Sequence, residues 1–264
     1  MSPENPFSPL LLEEITAKGF KLVRATEVPD FGEQAEKVTQ PSWPEFMLWD
    51  DVANKHWGKL YDTLTAFQFA LELPDGSWVA VGNSIPVYWG VDLETLPDRG
   101  WDWALESGVS RKHAANYLCA LAIQILPDFR GRGLSSLMVR IMAELGRANQ
   151  LKALLAPVRP NRKSDHPGVA MEEYITWTQD NKPFDPWLRV HQRLGAKILK
   201  VCPQSMRITG TISRWEAWTG MTFSSSGQSI IPGALVPVSI DLEADFGEYI
   251  EPNVWLVHPF SKAE

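Results

Sequence analysis

The residues whose types and spacing best fit chemistry stand together at Arg130-Gly131-Arg132-Gly133-Leu134-Ser135-Ser136. Glycine has no Cβ, so a ligand can come close to the main chain there. A helix opening at this point offers N–H groups without intrahelical acceptors, together with the positive end of its dipole. These two properties make an anion site, and a pyrophosphate is its usual guest. Arg130 and Arg132 add positive charge in a chain whose net charge is −7. The same residues also suit a tight strand–helix turn that holds nothing, so the choice depends on the flanking elements.

Those elements read as strand, turn, helix and strand. Leu118 to Ile125 is apolar and β-compatible, with Gln124 as its one amide, so both faces are expected to be covered. Pro127 and Asp128 end the strand, because proline cannot donate to a ladder. Leu134, Leu137, Met138, Ile141, Met142 and Leu145 recur at helical spacing, with Arg140, Glu144 and Arg147 between them. Lys152 to Val158 is the next strand. One helix face would pack on the sheet while its N-terminus faces the ligand. A P-loop is excluded, since no Gly-Lys-Ser/Thr follows. A dinucleotide-binding fold fits less well, because the loop falls mid-chain after a long mixed lead-in.

The order Arg-x-x-Gly-x-small, after a strand and opening a helix, resembles the acyl-CoA loop of the GNAT superfamily of N-acetyltransferases. The matching positions are Arg130, Gly133 and Ser135, with serine where the family has glycine or alanine. Ile125-Leu126-Pro127-Asp128-Phe129 resembles the family's strand-end segment leading into it. The resemblance implies an α/β (α+β) GNAT fold: a central mixed, twisted sheet, helices on both faces, and a splayed strand pair. It implies acetyl-CoA, or another form of coenzyme A, as co-substrate, bound by Ile125, Arg130, Gly131, Arg132, Gly133, Leu134, Ser135 and Ser136. An asparagine beyond the following strand often helps in the family, which points to Asn161. Arg159, Arg162 and Lys163 either face phosphate or form a solvated basic turn.

Trp187-Leu188-Arg189-Val190-His191-Gln192-Arg193-Leu194-Gly195 resembles the superfamily's late helix. There an aromatic residue, usually tyrosine, stands before a glycine and is sited to protonate the departing thiolate. His191 occupies that position, which makes it the catalytic candidate. An imidazole of pKa ~6.5 can act as base or acid near neutrality, whereas a phenol at ~10 cannot act as a base. His56, His113, His166 and His258 have no comparable context, and no histidine pair has ligand spacing for a metal.

Three functions fit. The first is acetyl transfer from acetyl-CoA to a small-molecule amine by direct attack. An N–H near Ile125 or Leu126 would hold the oxyanion, and Glu45, Glu106 or Glu173 stand as possible bases. The second follows the resemblance of this late segment to polyketide-synthase GNAT-like loading domains. These decarboxylate malonyl-CoA and load acetyl onto an acyl-carrier-protein thiol. Trp43 would be an entrance residue and Arg189 or Arg193 would meet a carboxylate. That branch pairs its histidine with a threonine, and Ala156-Pro157-Val158 offers no hydroxyl. The third is a module that binds acyl-CoA without chemistry.

Composition narrows the classes. The 264 residues suit one domain, expected as a core over about 18–215 and a C-terminal β extension over 216–264. With 25 basic and 32 acidic residues, no broad basic face for nucleic acid is expected. Two cysteines make neither a disulfide framework nor a metal knuckle, so a reducing, cytoplasmic setting is the default. The N-terminus lacks the pattern of a signal peptide, and no apolar run has the length of a membrane span.

The rest of the chain completes the expectation. Residues 1–10 read as an irregular arm and Phe20 to Val28 as the first strand. Asp30 to Phe67 is helical in tone, broken by Pro41 and Pro44. Phe67 to Leu73 and Trp78 to Trp89 form a hairpin about Pro74-Asp75-Gly76. Gly90 to Lys112 reads as a long loop, either a lid over a site or a packed excursion. Residues 197–201 and 206–213 read as separate strands, and Trp215 to Gly220 as a short helix ending at glycine.

Overall fold

The computed structural model describes residues 6–260. Ser8 caps helix α1 (Pro9–Ala17) by accepting from the Leu11 N–H, with proline in the first turn, where its missing N–H leaves no bond unmade. Strand β1 (Lys21–Arg24) and helix α2 (Phe31–Thr39) follow. Pro41 and Pro44 stand at short 3-10 turns, after which come α3 (Asp51–His56) and α4 (Lys59–Asp62). The hairpin is β2 (Gln68–Glu72) and β3 (Trp78–Val87), with Gly76 in the left-handed region at its turn. Then come α5 (Gly100–Ser110), β4 (Tyr117–Ile125), α6 (Leu134–Ala148) and β5 (Ala153–Val158). Next are α7 (Met171–Tyr174), the small hairpin β6 (Thr178–Gln179) and β7 (Lys182–Pro183), and α8 (Pro186–Arg193). The chain closes with β8 (Lys197–Gly210), α9 (Ile212–Thr219), β9 (Gly227–Ser229), β10 (Val238–Asp241) and β11 (Phe246–Pro259).

The main sheet runs β1-β2-β3-β4-β5-β11-β10-β9, with β8 also paired to β11. Every pairing in it is antiparallel except β4 with β5. That parallel contact consists of Leu118 opposite Leu154 and Cys119 opposite Leu155, and beyond it the two strands part. On one face, α1 and α6 bury Leu11, Ile15, Leu137, Met138 and Ile141 against Phe69, Leu71 and Leu118. On the other face, α2 packs Phe31, Ala35 and Val38 on Ala70 and Val81. Helix α5 fills the larger core there with Trp101, Ala104 and Leu105.

Two expectations need correction. Gly90 to Lys112 is not a loop throughout, because Gly100–Ser110 is helical. Its glycines are there for packing. A Cβ on Gly100 would lie 2.5 Å from Ser205 Oγ, and one on Gly108 would collide with the Ile85 side chain. Second, 197–201 and 206–213 are not separate strands. The single strand β8 crosses Pro203 to Ser205 as an irregularity opposite Pro252. Ser205 is buried at that bulge, accepts from the Trp101 N–H and donates to Asn253 Oδ1. The C-terminal β segment expected over 216–264 joins the sheet through β9, β10 and β11. Its strand β11 lies inside the sheet, between β8 on one side and β5 and β10 on the other. The arm expected over 1–10 ends earlier, since Pro9 already opens α1, and residues 1–5 lie outside the described residues.

Candidate active site

The parting of β4 from β5 makes the site. A cavity of about 1250 Å³ opens between Ala120 to Ile125 on one strand and Ala156 to Val158 on the other. The β5-facing main-chain groups of β4 beyond Cys119 have no strand opposite them, so they remain open for hydrogen bonding. A bulge bends β4 in the same stretch: Asn83 pairs Ala122 and Ser84 pairs Ala120, leaving Leu121 as the extra residue. The Leu121 carbonyl is met by Trp101 Nε1 at 2.8 Å, which ties α5 to the bulge.

At one end of the cavity stands the glycine loop. Gly131 has φ +75° and Gly133 φ +78°. A Cβ at either would meet nothing within 4 Å, so glycine is required by the backbone conformation and not by crowding. Gly133 is also the N-cap of α6, so no side chain caps that helix. Among the described residues the N–H groups of Gly131 to Ser136 meet no protein acceptor. Arg130 Nε donates to the Ile125 carbonyl at 3.1 Å and fixes the loop to the end of β4. Ile125, Arg130, Gly131, Gly133, Leu134, Ser135 and Asn161 all line the cavity. Arg132 and Ser136 stand beside it. The Arg132 guanidinium lies over the Phe129 ring, and Ser136 Oγ accepts from Arg193 Nη2 of α8 at 3.2 Å.

His191 lines the same cavity. Asp185 caps α8 through the Trp187 and Leu188 N–H groups and also accepts from the Arg162 N–H and the Tyr174 hydroxyl. This fixes the start of the helix. Gly195, at φ +83°, ends it and lets the Ala196 N–H reach the His191 carbonyl. The His191 ring is 2 % exposed and packs edge-on against Trp187 at 4.3 Å. Its Nδ1 lies 2.7 Å from Nε2 of His258 on β11. His191 lines the cavity, and its Nε2 is buried without a partner. Burial pushes its pKa down to about 3, with His258 adding to the shift. His258 falls to about 4 by burial, opposed by the Leu194 carbonyl that faces it. Both rings are therefore neutral at neutral pH. His258 is the neighbour of His191 that sequence reading missed, since nothing local marks it.

Other expectations divide. Trp43 lines the cavity, as do Arg193 and Arg159. Arg189 does not. It donates to the Pro183 and Phe184 carbonyls and so braces the start of its own helix. The basic turn is likewise committed to the protein: Arg159 pairs with buried Glu251, Arg162 with Asp165, and Lys163 donates to the Leu235 and His166 carbonyls. The Leu126 N–H donates to the Val79 carbonyl, so it is no oxyanion donor. Glu45, Glu106 and Glu173 are absent from the cavity lining, and Glu106 pairs with Arg99. Under α2 lies a polar corner with Glu36, Gln124 and Tyr61. Gln124 is 3 % exposed, and both atoms of its amide lack partners. Glu36 makes no ion pair among the described residues. Trp57 and Trp101 stack at 5.9 Å and wall the same side.

Comparison with known proteins identifies the family. No protein-family model matches the chain. A curated relative, the arginine N-acetyltransferase avaD of Aspergillus versicolor, is 33% identical over 275 aligned positions, covering 91% of this chain and 94% of the relative. Among solved structures, the loading GNATL domain of CurA from Lyngbya majuscula superposes with a TM-score of 0.62 at 18% identity, covering 91% of this chain and 97% of that one. The GphF GNAT-like decarboxylase in complex with isobutyryl-CoA gives 0.57 at 15% identity, covering 90% and 98%. The two structures share the fold. The chain belongs to the GNAT superfamily, and it is an acyl-CoA-dependent acyltransferase.

Proposed function

We propose that the protein moves an acetyl group from acetyl-CoA to the amino group of a basic small molecule, with arginine, the substrate in the relative's name, as the first candidate. The observation that carries this reading is one cavity lined both by a loop with unpaired N–H groups and by a histidine whose Nε2 has no partner. The N–H groups of Gly131 to Ser136 hold the diphosphate of coenzyme A, and Asn161 helps at the mouth. The open edge of β4 binds the pantetheine amides and donates to the thioester oxygen. The amine attacks the thioester carbon and the C–S bond breaks. The proton lost by nitrogen passes to His191 Nε2 and from there to the thiolate, so no group is left charged. A neutral imidazole can only begin as the base, so His191 acts as acid in the second half of the reaction.

The acceptor occupies the corner under α2. Glu36 supplies negative charge, Gln124 an unpaired donor and acceptor, and the Trp43, Trp57 and Tyr61 rings faces for a cation. The test is release of free thiol from acetyl-CoA with arginine, other basic amines and a phosphopantetheinylated carrier protein, with products identified by mass. Thiol release that depends on a basic amine is expected. Release only with the carrier, or carbon dioxide from malonyl-CoA without any acceptor, supports the loading-domain chemistry instead. No release with any acceptor leaves a binding module.

A further inference from the structure

The 2.7 Å contact between His191 Nδ1 and His258 Nε2 joins α8 to β11 in the buried interior. A hydrogen bond between two neutral imidazoles holds one hydrogen, so one ring donates and the other accepts. The Leu194 carbonyl faces His258 and favours a hydrogen on the ring nitrogen turned toward it. With Nε2 against His191, the nitrogen that meets this carbonyl is Nδ1. His258 therefore carries its hydrogen on Nδ1 and turns a bare Nε2 toward His191. The shared hydrogen must then sit on His191 Nδ1. A neutral imidazole has a single N–H, so His191 Nε2 is left as a lone pair, and this buried atom has no protein partner.

From this chain we propose that His258 is a positioning residue: it sets the tautomer and ring plane of His191, so that this residue of the cavity lining keeps an unprotonated Nε2. The proposal rests on His191 being the base. Trp187 holds the His191 ring from another side, while His258 sits on a strand paired across to Leu154. The charged groups near the pair are held by other partners. Glu14, Arg140 and Glu144 line a second cavity of about 430 Å³ that reaches His258, with Arg140 on Glu14 and Glu144 on Ser8. Arg147 of that cavity lies over the Phe260 ring. On the His191 side, Arg193 reaches Ser136, and Glu251 is paired with Arg159.

The first test needs no loss of side chain. Nitrogen-15 spectra of the full chain with labelled histidine, near neutral pH, should show hydrogen on Nδ1 and none on Nε2 of His191. His258→Gln keeps an acceptor for that hydrogen, so tautomer and kcat should hold within about threefold, whereas His258→Leu should lose the tautomer and about 10- to 100-fold in kcat with the KM for acyl-CoA unchanged. Hydrogen on His191 Nε2 in the wild-type protein overturns the proposal. So does wild-type kcat in His258→Leu, or a fall in His258→Gln as deep as that in His258→Leu. If His258→Leu does not fold, the wild-type spectrum and His258→Gln decide alone. His191→Ala separates the two readings, since retained kcat there would end the role of His191 as base, while the wild-type spectrum would still report the tautomer of the pair.

Discussion

Replacing Gly133 by alanine tests how the loop works. Gly133 has φ +78°, and a Cβ built there meets nothing within 4 Å. The substitution therefore adds no clash with the protein, only the cost of holding an L-residue in the left-handed region. That cost is about 1–2 kcal/mol. In the free protein the loop can escape it by relaxing to negative φ, which turns the N–H groups away from the cavity. The binding-competent loop then becomes the minor state, and the apparent affinity for acyl-CoA falls by the same factor. At about 1.4 kcal/mol per decade the expected rise in Kd is roughly 5- to 30-fold. Calorimetric titration with coenzyme A measures it directly. Steady-state kinetics should show the matching rise in KM for acyl-CoA with kcat at saturation unchanged. Thermal unfolding should move little, because the loop relaxes instead of straining the core. An unchanged Kd would refute the reasoning, since the amides of a relaxed loop would then be irrelevant to binding. A Kd unchanged together with a lower melting temperature would say that Gly133 serves only the turn.

Three other outcomes follow from the same geometry. Asp102 and Asp50 are buried at the α3–α5 contact; loss of hydration, reinforced by the Asp50 charge, raises Asp102 to about 8, and loss of hydration, reinforced by the Asp51 charge, raises Asp50 to about 6. The folded state holds these protons longer than the unfolded chain, so stability is full below the carboxylate range and falls as pH rises toward 8. Asp102→Asn removes one buried charge, so at pH ~8 it should be more stable by about 3 kcal/mol and melt roughly 5 to 10 °C higher. Equal or lower melting there would contradict the assignment. On the acid side the sign reverses. His258 is depressed to about 4 from ~6.5, so the unfolded chain takes up its proton first and about 3 kcal/mol is lost as pH falls through that interval. His258→Gln should flatten this limb in unfolding measured across pH, and an unchanged slope would count against buried neutral rings. Gln124→Leu should raise the KM of the amine on the order of tenfold through a lost hydrogen bond, leave the KM of acyl-CoA alone, and not lower stability. A change confined to acyl-CoA would move Gln124 to the other half of the cavity.

The parts legible in the sequence were those whose signals are local. The loop and α6 announce themselves within a few residues, through glycines at positive φ and an apolar stripe at helical spacing. The β2–β3 turn and the Gly195 helix end are local in the same way. Helix α5 was hidden because Gly100 and Gly108 look like loop residues, yet they are glycine because Ser205, Cys202 and Ile85 press against them. That pressure comes from residues far away in the chain. The central place of β11 was hidden for a like reason, since its register with β5 and β8 is a property of the assembled sheet. His258 shares that fate: it gains meaning only when β11 brings it to α8. Arg189 failed in the opposite direction. Its charge suggested a ligand, but the carbonyls of Pro183 and Phe184 are nearer and take its hydrogens.

The central claim is that amides of Gly131 to Ser136 hold the diphosphate of coenzyme A and so bring a thioester beside His191. The most direct measurement is the crystal structure of the complex with coenzyme A or a non-hydrolysable acyl analogue. The account predicts diphosphate oxygens about 3 Å from several of those N–H groups, with the sulfur in the gap between β4 and β5 facing His191 Nε2. A diphosphate bound elsewhere, or a sulfur pointing away from that nitrogen, would contradict it.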